Sequence, residues 1–147
     1  MISIVNVLIA YGACQAFFIA FTLLKSDNNK LFRNFFSLLL IIEGIMLFER
    51  LLVETSLINQ VPHLLGISYP ISFLKPPLML LMAVAITVKG FRWLNRMYRH
   101  FIPFALMLLF NLPFYFLSGI EKIETVRVFM EKVPSYQSFD FYFSLSF

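Results

Sequence analysis

The chain has 147 residues, 60% of them hydrophobic and 14% charged, and its mean hydropathy is +0.82; a typical soluble domain is roughly half apolar and about a quarter charged. A water-soluble domain of this size leaves much of its area exposed and would present these side chains as one apolar patch, so an ordinary soluble fold is excluded and a bilayer is indicated. The formal net charge of +4 does not point to nucleic acid, because the basic residues gather in two short clusters between apolar runs, as topology determinants do.

Nineteen phenylalanines, seven methionines and six tyrosines suit helices packed in lipid better than an enzyme of polar chemistry. The single cysteine, Cys14, lies inside the first apolar run, which leaves no intrachain disulfide and no metal spacing. The composition and periodicity predict an all-α polytopic transmembrane helix bundle, one membrane domain over residues 1–147, with four complete spans and an incomplete fifth.

Residues 3–24 run without a charge, enough for the roughly 20 residues that cross a hydrocarbon core. The first positive charge is Lys25 and the run before it is longer than the apolar core of a secretory signal, so it reads as a true span. Residues 25–34 form a polar turn, and residues 35–57 a second helix carrying Glu43, Glu49, Arg50 and Glu54. Residues 64–88 are long enough to cross, with Pro70, Pro76 and Pro77 removing backbone donors and predicting a kink or local unwinding. Residues 89–100 are basic and aromatic, and residues 101–120, with Pro103 and Pro113, form span four. Over residues 121–132 charges alternate with Ile123, Val126 and Met130 at helical spacing, the pattern of an amphipathic helix lying on the membrane surface. Residues 138–147 are apolar but too short to cross, and read as the start of a fifth span.

The positive-inside bias fixes the orientation. Residues 25–34 hold Lys25, Lys30 and Arg33 against Asp27, and residues 89–100 hold Lys89, Arg92, Arg96 and Arg99 with no acid; residues 49–63 hold one basic side chain, Arg50. The two basic loops are therefore expected in the cytoplasm and the N-terminus outside.

A charge within a span costs about 2.5 to 3.5 kcal/mol on insertion scales, so Glu43, Glu49, Arg50 and Lys75 are a candidate intramembrane polar site. Counting about 1.5 Å per residue from the cytoplasmic ends, Glu43 lies roughly 12 Å deep, Glu49 roughly 21 Å and Lys75 roughly 20 Å in an unkinked helix. Depth matches Glu49 to Lys75, lets Arg50 reach Glu54 at i+4, and leaves Glu43 alone. His63 falls at the outer interface as a polar anchor, with no acid or cysteine spaced to join it as a metal ligand. Asn111 is expected to hydrogen-bond between helices. There is no nucleophile with a base and no clustered metal site, so no catalytic residue and no cofactor is assigned.

The stretches Leu47-Phe48-Glu49-Arg50-Leu51-Leu52, Val61-Pro62-His63-Leu64-Leu65-Gly66-Ile67-Ser68-Tyr69-Pro70, Phe73-Leu74-Lys75-Pro76-Pro77-Leu78 and His100-Phe101-Ile102-Pro103-Phe104 together cover roughly residues 34–117. They resemble the membrane-embedded N-terminal module of bacterial AraC-type helix-turn-helix transcriptional regulators. The chain departs from that family at Pro76, where a glycine tends to stand. The resemblance implies a multi-span sensor that precedes a cytoplasmic DNA-binding domain. No stretch here carries a basic recognition helix on a soluble domain, so the chain as given is expected to be a signal-input half without its output and not to bind DNA. Its expected partners are the lipid bilayer and a second copy of itself, in the cytoplasmic (inner) membrane. The alternative is a small transporter-like or scaffold subunit in which Glu43, Glu49 and Lys75 line a pathway; it would be supported by an inverted repeat, which the polar placement does not provide.

Overall fold

A computed structural model describes residues 3–26, 30–88, 91 and 95–132, and among them every regular element is helical. The order is α1 (Ile4–Leu24), α2 (Lys30–Glu54), two 3-10 turns (Leu57–Asn59 and Pro62–Leu64), α3 (Ser68–Ser72), α4 (Lys75–Thr87), a 3-10 stretch (Asn95–Phe101), α5 (Ile102–Tyr115) and α6 (Gly119–Lys132). The all-helical class agrees with the sequence. The expected start of a fifth span at residues 138–147 lies outside the described residues.

Among the described residues, α1 is the one helix both long and apolar enough to cross a membrane; the pairs Pro62–Ser72 with Lys75–Thr87 and Asn95–Tyr115 with Gly119–Val128 raise the number to three if each bent pair is one span. The first pair is bent by 46° and the second by 110°. Helix α2 has 25 residues and carries Glu43, Glu49, Arg50 and Glu54 within it.

Ser3 caps α1, its hydroxyl accepting the Val5 N–H at 3.2 Å. The helix packs on α2 through small residues: Ala13, Ala16 and Ala20 are its buried apolar positions, and at i, i+3 and i+7 they form one stripe that lets the backbones approach. The Phe17 ring completes the seam by lying on Gly44, where an added Cβ would sit 2.9 Å from Cζ. The rest of α1 is exposed, with Ile4, Leu8, Phe18 and Phe21 each at least 60% accessible, a surface that is costly in water and favourable in lipid.

Helix α2 starts at Lys30, five residues before the expected boundary, because residues 30–35 contain neither proline nor glycine to stop it. Phe32 and Phe36 stack one turn apart with centroids 5.7 Å apart, and Arg33 Nη1 donates to the Ser26 carbonyl, tying the start of α2 to the end of α1. At the far end Ser56, at φ 59°, takes the left-handed conformation that closes a helix C-terminus. Helix α4 runs back along α2, and Phe35 and Ile42 cluster with Leu78, Leu81 and Ala85 in the main apolar core.

The expected third span is two helices. Pro76 and Pro77 stand in the first turn of α4, where their missing N–H groups would be unpaired in any helix, and the chain bends before them at Phe73 and Leu74. Span four is shorter than expected: α5 ends at Tyr115, and Ser118 opens α6 through a reciprocal cap in which Ser118 N–H donates to Glu121 Oε2 at 2.9 Å and Glu121 N–H to Ser118 Oγ at 3.4 Å. Helix α6 then turns sharply away from α5. Asn111 Nδ2 bonds the Met107 carbonyl of its own helix at 2.7 Å, correcting the expected interhelical bond.

Candidate functional site

The polar side chains gather where α2, the turn after it, α5 and α6 meet. Glu49, on the last third of α2, is 9% exposed. A buried carboxylate needs its lone pairs satisfied, and the chain provides this from backbone: Gly66 N–H donates to Oε1 and Ser68 N–H to Oε2, both at 2.7 Å. Gly66 has a φ of +84°, a conformation open to glycine that turns alternate N–H groups toward one oxyanion. The other face of the same residue is also engaged, since Tyr115 Oη on α5 donates to the Gly66 carbonyl at 2.7 Å. One residue of a turn thereby connects α2 to α5. The Phe114 ring lies against it, with Cε1 3.0 Å from where a Cβ would be.

Helix α6 closes over this node. Gly119 sits so near Pro62 that a Cβ would meet its Cγ at 2.5 Å. Lys122 is 2% exposed, its Nζ 5.9 Å from the centroid of the Phe114 ring and 3.4 Å from His63 Nδ1. His63 belongs to the 3-10 turn Pro62–Leu64, with Lys122 beside it, a neighbour that sequence spacing does not join to it.

The second locus is deeper along α2. Lys75 Nζ, on the first residue of α4, lies 2.6 Å from Glu43 Oε1. This corrects the expected pairing of Lys75 with Glu49 and the expected isolation of Glu43. The error has a geometric source: Glu43 is thirteen residues after Lys30 and Lys75 twelve before Thr87, so at about 1.5 Å per residue the two stand at nearly the same depth. Starting α2 five residues late made Glu43 too shallow. Arg50 Nε lies 3.9 Å from Glu54 Oε1, an exposed i, i+4 contact that contributes little.

Of the sequence-derived candidates, then, Glu43 and Lys75 meet each other, Glu49 meets backbone, Arg50 faces outward with Glu54, and His63 meets Lys122. Gly66, Ser68, Tyr115 and Lys122 were missed. The partners of Glu49 are backbone N–H groups and leave no side-chain signature, whereas the lone phenol in the fourth apolar run was a visible one. Chemically the arrangement holds helices together: a carboxylate with both oxygens satisfied, a phenol donating to a carbonyl, and an ion pair.

No protein-family model matches this sequence, and neither the curated proteins nor the solved structures contain a match to it.

Proposed function

We propose that the chain is the signal-input module of a membrane-embedded transcription regulator of the AraC type. In this reading α1, α2, the bent α3 and α4 unit, and α5 make four crossings of the cytoplasmic (inner) membrane. The N-terminus is outside, residues 25–34 and 89–100 are cytoplasmic, and α6 lies on the outer surface. Its attitude at 110° to the helix before it suits a surface helix.

The observation that carries the reading is the Glu49–Gly66–Tyr115 node. A stimulus that shifts the turn around Gly66 must move α2 and α5 together, because both are bonded to the same residue, and the break before α4 supplies a hinge beside it. Shared attachment of several helices to one outer turn is what a device needs to pass an external event to the cytoplasmic side.

The test is the size of the native polypeptide in membranes of the cells that make it, detected with an antibody to residues 25–34. A species well above 17.2 kDa that carries a DNA-binding domain is the expected result; a stable 17.2 kDa species alone would sink the reading. The transporter-like or scaffold alternative draws on one observation, the Glu43–Lys75 pair beside a discontinuous helix. Solute flux in proteoliposomes, abolished by Lys75→Met, would favour it.

A further inference from the structure

Lys122 is an unusual residue to find almost wholly buried. Lysines are rarely enclosed unless paired, yet among the described residues no carboxylate lies within ion-pair distance of its ammonium. Its polar contact is His63 Nδ1 at 3.4 Å and its other neighbour the face of Phe114. An ammonium only donates, so Nδ1 must be the acceptor and the ring proton must sit on Nε2. With Lys122 as an ammonium, the contact is a hydrogen bond only to a neutral imidazole.

We infer that the His63–Lys122 contact is a proton-operated latch that holds α6 over the Pro62–Leu64 turn and releases it when His63 takes up a proton. Protonation at Nδ1 removes the acceptor and places two cations 3.4 Å apart. His63 is exposed while Lys122 is buried, so a proton from water reaches the first, and the ammonium is held in the packing of α6. Histidine is the side chain whose charge ordinarily changes between about pH 5 and 8.

Among the described residues, two carboxylates of the adjoining elements are engaged elsewhere. From α6, Glu121 is held at Ser118, and the adjoining Leu57–Asn59 turn brings no titratable group. From α2, the Glu49 carboxylate is occupied by Gly66 and Ser68, and α5 presents Phe114. Gly119 against Pro62 is another point at which α6 touches the turn, a contact of shape without a polar partner. The latch is a property of the fold and stands whether or not the chain feeds a transcription regulator.

The test is hydrogen exchange of the α6 amides in the whole chain, reconstituted in phosphatidylcholine nanodiscs so that the lipid charge does not titrate. Protection factors, corrected for the intrinsic pH dependence of exchange, are measured from pH 7.5 to 5. In the unsubstituted chain the opening constant of α6 should rise toward acid, by at most about tenfold per pH unit, the slope of one coupled proton. His63→Gln keeps an acceptor for Lys122 and cannot titrate, and Lys122→Met removes the facing cation; each should flatten the profile. The Lys122 variant supplies the decision if the His63 variant does not fold. A profile already flat in the unsubstituted chain, or a pH response that survives either substitution, overturns the latch.

Discussion

Glu43 and Lys75 form an ion pair 2.6 Å long between α2 and the first turn of α4, on side chains that remain about 36% and 22% accessible. The pair fixes the register of the two helices at the point where the third apolar run breaks. Removing Lys75 leaves the Glu43 carboxylate without its ion-pair partner, whereas removing both charges leaves nothing to compensate. Lys75→Met should therefore destabilise the fold by about 1 to 3 kcal/mol, less than a fully buried pair because of the remaining access. Adding Glu43→Gln should recover about 1 kcal/mol or more of that loss, and adding Glu49→Gln should recover none. Unfolding followed by circular dichroism in mixed micelles decides between the two double variants.

Glu49 makes the sharper prediction, because both of its oxygens are used. Glutamine offers one acceptor oxygen and turns an NH2 toward a backbone donor, so Glu49→Gln loses one charge-assisted bond and opposes two donors. The expected cost is about 2 kcal/mol or more, on the scale of hydrogen bonds to charged groups. Faster amide exchange should follow at Gly66 and Ser68, the two N–H groups that lose a partner. Unchanged exchange at these amides would remove the node from the account of the fold.

Tyr115→Phe and Gly66→Ala probe the other side of the same residue and should differ in size. The first deletes one neutral hydrogen bond, worth about 1 kcal/mol. The second forces a side chain into a backbone at φ +84° with a ring carbon 3.0 Å away, adding strain to a clash, and should cost about 2 kcal/mol or more. Reversed order of the two midpoints in thermal unfolding would contradict the geometry.

How much of this was legible in the sequence depends on whether the information lay in side-chain pattern or in backbone. The run without charges up to Leu24 spoke for α1, and the alternation after Ile120 for α6. The prolines marked the break in the third run, but not that they would stand at the start of α4 instead of inside a kinked span. Lys30 and Arg33 suggest a loop by their charge, although charge at a helix start says nothing against helix, and that shift alone exchanges the expected partners of Lys75. The clamp on Glu49 is made of N–H groups that every residue but proline has, so only Gly66, with its access to positive φ, hinted at it. Ser118-x-x-Glu121 is different: it is a capping box in plain view, and it sets the start of α6 that periodicity alone placed two residues later.

Gly44 and Gly12 offer a paired test of the α1 and α2 seam. An added methyl at Gly44 meets the Phe17 ring at 2.9 to 3.0 Å from three carbons, whereas at Gly12 it meets only the tip of Leu47 at 3.3 Å. Both substitutions gain helix propensity, up to about 1 kcal/mol. At Gly44 the overpacking cost of about 1 to 3 kcal/mol should outweigh that gain, and at Gly12 the flexible leucine should yield, leaving a neutral or more stable protein. Opposite signs of the stability change are expected; equal destabilisation would mean that Leu47 is as firmly held as Phe17.

Glu121 supplies a second acid-sensitive element on α6, separable from His63 by where it acts. The Ser118 backbone N–H, helped by the Ser118 hydroxyl, holds its carboxyl below the ordinary glutamate range. Because the folded value is the lowered one, the cap is complete at neutral pH and weakens only as the pH falls below the carboxylate range, about pH 4, through that lowered value. Amides in the first turn of α6 should accordingly lose protection below about pH 4, well under the window in which histidine titrates. Glu121→Gln, which can still accept from Ser118 but carries no titrating proton, should abolish this lower transition and leave any response between about pH 5 and 8 intact. His63→Gln should do the reverse. Loss of both transitions in a single variant would mean that the cap and the turn open together, and that α6 behaves as one cooperative unit hinged at Ser118.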